Sequence, residues 1–145
     1  MTTENLQAID SDVEQIHRLT SDYAWAIDNF HLDDLVDLFS DDAVFDMRAF
    51  GAPEAAEGKS AIRAGFAAMI DSLSGCVHMM MNHRTQVEGD TAHGTAYCHA
   101  FMTTAEGEKA ENLVLYEDIY VRESTGWKFQ SRVIKHLLAD GAAAN

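Results

Sequence analysis

The chain is short of three things. Its 145 residues include one proline, two cysteines, and only 10 Lys+Arg against 24 Asp+Glu. The shortage of cations leaves a formal net charge of −14. Nucleic acids and anionic membranes need a basic footprint, so neither is expected as a partner. The cysteines, Cys76 and Cys98, lie far apart and outside any Cys-x-x-Cys pattern. That fits two buried thiols in a reducing compartment better than a disulfide framework. Residues 1–10 have no basic stretch followed by an apolar run, so no signal peptide is expected. No run approaches the roughly 18 apolar residues of a membrane span. A cytoplasmic location is therefore expected.

Several chemistries lack their motifs too. There is no Gly-x-Ser-x-Gly, no glycine-rich phosphate loop and no dinucleotide fingerprint, so no cofactor is expected. No histidine pair has zinc spacing, so no metal is expected either.

What is present is a chain with 47% hydrophobic residues, enough to bury a core in one domain spanning 1–145, its core at about 10–138. Val13, Ile16, Thr20, Tyr23, Ile27 and Phe30 recur at helical spacing. Asp10 or Ser11 would cap that helix, with Glu14 completing a capping box. A short second helix follows Asp33 and Asp34. Residues 43–47 suit a strand, and 59–73 a third helix ended by Ser74-Gly75. The period then changes to two. Strands are expected over 77–88, 91–104, 113–122 and 127–138, joined by short turns. Helices set apart from an antiparallel meander predict an α+β domain. Its curved antiparallel sheet would be packed by three N-terminal helices around a central pocket.

Two polar residues sit in apolar settings. Asp28 ends helix 1, where the helix dipole disfavours a carboxylate. It reads either as a solvated helix-end residue or as a general base, or the group that orients one. His78 opens an apolar, methionine-rich strand and reads as a structural histidine or a proton carrier. On the last strand Arg132 alternates with Trp127, Phe129 and Ser131. It would pair with an internal carboxylate or hold a substrate oxygen or leaving anion. Tyr23, Tyr97, Tyr116 and Tyr120 are further donors or core. His99 faces the pocket or the far side. His17, His31, His83, His93 and His136 read as surface or turn residues.

The motifs, taken in order, resemble a known family. They are Tyr23-x4-Asp28, Leu38-Phe39-Ser40-Asp41-Asp42-Ala43, Gly58-Lys59-Ser60-Ala61-Ile62 and His78-x3-Asn82. Gly89-Asp90-Thr91-Ala92, Tyr116-x-Asp118 and Gly126-Trp127-Lys128-Phe129 follow. The chain resembles the SnoaL-like branch of the nuclear transport factor 2-like superfamily over about residues 10–138. The resemblance implies a cone-shaped, cystatin-like α+β fold. Asp28 and His78 resemble the Asp–His dyad of scytalone dehydratase, bile-acid 7α-dehydratase and hexachlorocyclohexane dehydrochlorinase. In those relatives the histidine takes a proton from carbon and the aspartate orients it. Tyr23 matches a tyrosine that polarises substrate oxygen, and Arg132 an arginine near a departing halide.

The expected function is thus a cofactor-free lyase acting on a hydrophobic ring compound, with Asp28, His78, Tyr23 and Arg132 as its catalytic groups. Trp25, Phe45, Phe66, Met69 and Met80 would line the substrate. Asn82, Cys98, His99 and Tyr116 would complete the lining. The rivals are an isomerase or polyketide-cyclase-type enzyme in the same pocket, and a non-catalytic ligand-binding module. The last would show a pocket filled by Phe66, Met69 and Met80, with Asp28 and His78 apart. Long, partly apolar strands predict a homo-oligomer, trimer or dimer.

Overall fold

Helix α1, Thr3–Asp28, shows why its buried residues recur as they do. A computed structural model describes residues 2–138, without the side chains of residues 5–10. Ile16, Leu19, Thr20, Tyr23 and Ile27 form one buried stripe of α1. The helix begins earlier than the capping signal implied: Ser11 lies inside it and its hydroxyl accepts from Gln15 Nε2. The Asp10 side chain lies outside the described residues. The chain turns out of the helix at Phe30, which adopts a left-handed φ of 59°. The His31 N–H then reaches back to the Ala26 carbonyl at 2.8 Å, closing the last turn. Asp28 is thereby the last helical residue.

Helix α2, Leu32–Asp37, buries Leu35 and Val36. Strand β1 is Phe39–Asp46, β2 is Ala56–Glu57 and α3 is Lys59–Asp71. Ser74-Gly75 does not end α3; it belongs to the next strand, where the Ser74 hydroxyl donates to the Thr103 and Thr104 carbonyls. Strands β3 (Leu73–Glu88), β4 (Thr91–Thr104), β5 (Lys109–Glu123) and β6 (Gly126–His136) complete one sheet, in the order β2-β1-β6-β5-β4-β3. The meander β3 to β6 is antiparallel as expected. The sheet is nevertheless mixed, because β1 runs parallel to β6. The chain leaves β1 through α3 before returning, so β1 joins the far edge in the direction of the last strand. Strand β2 is too short to leave a periodic signal.

Two irregularities decide which residues face the helices. The pairing of β3 with β4 shifts between Met81 and Arg84, where Asn82 adopts φ 46°. An extra residue reverses the inward parity of a strand. Cys76, His78 and Met80 point inward before this bulge; His83, Thr85 and Val87 do so after it. Gly94 lies beside the bulge, and a Cβ there would collide with the Arg84 carbonyl oxygen. The second shift lies between Ile119 and Tyr120 in the β5–β6 pairing. It turns both Phe129 and Arg132 inward, although strict alternation separates them.

Among the described residues, no helix is both long and apolar enough to cross a membrane.

Candidate active site

The edge of the sheet brings the two polar residues together. Strand β3 has no strand neighbour beyond β4, so alternate backbone N–H groups lack a ladder partner. The C-terminal end of α1 covers that edge. One Asp28 carboxylate oxygen accepts the His78 backbone N–H at 2.9 Å, and the other lies 2.7 Å from His78 Nδ1. The carboxylate therefore fixes both the strand and the ring. Since the Asp28 carboxylate accepts here, Nδ1 is the donating nitrogen, and in the neutral ring Nε2 is the one with the lone pair. The His78 side chain is 9% exposed and that of Asp28 20%.

His78 lines a small cavity of about 60 Å³, shared with Tyr23, Met69, Met102, Asn112 and Tyr116. It is large enough only for a few waters until its walls move. Those walls are adaptable, since methionine repacks readily. A larger hollow, about 620 Å³, lies on the outer face of the sheet around Arg84, His93, Thr95, Glu117 and Ser131. It holds neither member of the Asp28–His78 pair, which belongs to the smaller space.

Behind the cavity lies a buried charge. Arg132 is fully buried and forms a two-pronged pair with Asp118, Nε to Oδ1 at 2.8 Å and Nη2 to Oδ2 at 2.9 Å. The Tyr120 hydroxyl donates to the same carboxylate at 2.7 Å. The guanidinium packs on the rings of Tyr116, Phe129 and Tyr23 at 3.9, 4.2 and 4.4 Å. It does not line the cavity, so it cannot contact a departing anion there; Tyr23 and Tyr116 stand in front of it. Burial pushes the hydroxyls of Tyr23, Tyr116 and Tyr120 upward, with Arg132 opposing the shift. All three remain protonated and act as hydrogen-bond donors, not bases.

The other sequence candidates divide clearly. Met69 and Tyr116 line the cavity. Phe45 and Phe66 pack against each other at 4.7 Å in the core behind it, and Met80 packs on that core without lining the cavity. Cys98 is fully buried. Trp25 is 56% exposed on the outside of α1, its ring edge-on to His31. Asn82 is exposed at the bulge. His99 lies on the outer face, where Nε2 pairs with Glu111 at 2.9 Å. Trp25, Asn82 and His99 are thus removed from any pocket lining, each by helix rotation or strand parity.

Cys76 completes a cluster with Asp28 and His78, their potential ligand atoms lying within 4.8 Å of one another. Its thiol is pushed up to about 12, chiefly by burial and then by the Asp28 charge. A thiol so held is poorly suited to serve as a thiolate ligand. The Asp28 oxygens are already engaged by His78.

Three residues escaped the sequence reading. Asp118 and Arg132 are direct cross-strand partners, a signal visible only once the β5–β6 register is known. Asn112 lies in the cavity wall. His83, read as a surface residue, faces inward after the bulge, 3.0 Å from the Tyr120 hydroxyl and stacked on His17. Burial and then His17 push His83 down to about 4. Below its ordinary value of about 6.5 the unfolded chain takes up this proton while the folded protein resists it. Stability from this residue is therefore full above about pH 6.5 and lost as the pH falls toward 4. Thermal melts across that window should show a falling midpoint in wild type and a flatter profile in His83→Gln.

The chain and its fold match a known group. The SnoaL-like domain family model matches residues 10–133, and the chain belongs to that family. An uncharacterized protein of Mycobacterium tuberculosis is 33% identical over 126 residues, covering 85% of this chain and 84% of its own. Among solved structures, a protein of Novosphingobium aromaticivorans provisionally assigned as an aromatic ring hydroxylase is 28% identical. It superposes with a TM-score of 0.84 over 89% of this chain and 91% of that one. A provisionally assigned dehydratase of the nuclear transport factor 2-like family from Streptomyces avermitilis is 19% identical (TM-score 0.79, 90% of this chain, 99% of that one). A type 2 hexachlorocyclohexane dehydrochlorinase is 17% identical (TM-score 0.77, 96% and 95%). The fold is the cystatin-like, nuclear transport factor 2-like α+β cone that the motif order implied.

Proposed function

We propose that the protein is a cofactor-free lyase acting on a hydrophobic ring compound. One observation carries this reading: Asp28 holds His78 through Nδ1 and leaves Nε2 as the free nitrogen of a ring that lines the cavity. Nε2 removes a proton from carbon, the C–H electron pair becomes the new C=C bond, and a neighbouring hydroxide or halide departs. Asp28 stabilises the imidazolium that forms. The Tyr23 hydroxyl, kept protonated by burial, donates to the oxygen that gains charge. Arg132 acts only through the tyrosine rings stacked on it. The fold shared with a dehydratase and a dehydrochlorinase agrees with this chemistry.

The test is product mass. Incubation with cyclic β-hydroxy ketones and halogenated cyclohexanes should give a product lighter by water or hydrogen halide, and His78→Ala should lose this turnover. A product of unchanged mass would make the enzyme an isomerase or cyclase. Turnover surviving in His78→Ala would sink the lyase reading.

The proposed homo-oligomer has a suitable surface. Val77, Met79, Met81, Phe101, Leu113 and Ile119 are all at least 38% exposed on the outer face of the sheet. Two acids on that face have basic neighbours, Glu111 beside His99 and Glu117 beside Lys135. On a chain of net charge −14 this apolar patch is where two copies could approach with the least repulsion.

A further inference from the structure

Four side chains with polar groups reach the cavity wall: Tyr23, His78, Asn112 and Tyr116. Three of them already have partners. His78 Nδ1 is held by Asp28, and the tyrosine hydroxyls engage each other and Cys98. Asn112 alone makes no side-chain hydrogen bond to any described residue. A half-buried carboxamide at a cavity wall offers a ligand both a donor and an acceptor that no side chain has taken.

Its place in the sheet is specific. His78 pairs with Ala100 across β3–β4, and Ala100 pairs with Asn112 across β4–β5. The three residues form one row on the inner face. Two strand spacings put the backbones of His78 and Asn112 roughly 10 Å apart. Between them Ala100 offers only a methyl floor. The gap suits a single six-membered ring lying flat on Ala100, with one edge toward the imidazole and the opposite edge toward the carboxamide. A cavity of about 60 Å³ with methionine walls can widen for one ring far more readily than for a fused ring system.

We propose that Asn112 is a substrate-binding residue. It hydrogen-bonds a hydroxyl or carbonyl oxygen on the edge of a monocyclic substrate opposite the carbon attacked by His78. This rests on the lyase reading only for which carbon reacts; oxygen recognition does not depend on turnover. Asn112 would select oxygenated rings over plain hydrocarbons and fix which C–H faces Nε2.

The experiment compares 4-methylphenol with toluene, two rings of similar size that differ by the oxygen. Binding is followed by NMR through the imidazole signals of His78, which report occupancy of this cavity. Wild type should bind 4-methylphenol about tenfold more tightly than toluene, as expected for one hydrogen bond to a half-buried amide. In Asn112→Leu that preference should fall to about twofold or less, with toluene still bound. Asn112→Ser, a smaller change that removes the amide, should lower the preference as well and guards against a misfolded leucine variant. An unchanged preference in both variants overturns the proposal, and so does a wild type that binds the two rings equally. If the preference behaves as stated but no elimination is found on any substrate, the oxygen site stands and the lyase reading falls. If elimination is found and neither variant changes KM or kcat, the lyase reading stands and this proposal falls.

Discussion

Asp28→Asn should lower kcat by about a thousandfold or more while the protein stays folded. The reason lies in the two bonds this carboxylate accepts, one from the His78 backbone N–H and one at Nδ1. A carboxylate satisfies both at once. An amide has one oxygen, so its NH₂ must face one of the two donors. If the oxygen stays on the backbone, the NH₂ meets Nδ1, the ring adopts the other tautomer, and Nε2 carries the proton it should be ready to accept. If the oxygen stays on Nδ1, the NH₂ opposes the backbone N–H and the ring is displaced. Either way the lone pair is lost or misplaced. The ¹⁵N shifts of the His78 ring would show the change without any substrate, and turnover would show its cost. Wild-type kcat together with wild-type ring shifts in Asp28→Asn would refute the role given to this carboxylate.

The second large effect concerns stability. Arg132→Met should cost roughly 3–5 kcal/mol, because it leaves the Asp118 carboxylate buried beside only the Tyr120 hydroxyl. For a chain of this length that is a fall in melting temperature of roughly 10 °C or more. The double variant Arg132→Met with Asp118→Leu should regain much of the loss, since no unpaired charge then remains. Thermal melts of the two single variants and the double variant form a cycle that measures the coupling. Additive losses would mean the pair is not a unit. Because Arg132 sits behind Tyr23 and Tyr116, activity in the folded double variant reports how far its charge reaches the cavity through those rings.

The sequence carried the elements and the pair at the centre of the site. Helical spacing from Val13 to Ile27 and the period of two from Val77 onward are direct consequences of one-sided burial, so both were readable. Asp28 and His78 stood out because a carboxylate at a helix end and a histidine in an apolar strand each run against local preference. What stayed hidden depended on register. Asn82, Arg132 and His83 were assigned faces by simple alternation, and each lies at or beyond a shift in pairing. Trp25, an aromatic expected in the pocket lining, sits on the outer side of α1. Asn112 gives no signal, since its place across Ala100 from His78 follows only from the strand register.

The bulge at Asn82 divides β3 into two segments that keep separate counts. The first half holds His78 against Asp28 with even-numbered residues; the second holds His83 against Tyr120 with odd-numbered ones. Without the extra residue, one continuous alternation could not hold both histidines inside, because 78 and 83 differ in parity. The strand therefore works as two short rulers joined with an offset. A substitution scheme meant to reshape the cavity can be read from one ruler alone, leaving the packing of the other half to be set independently.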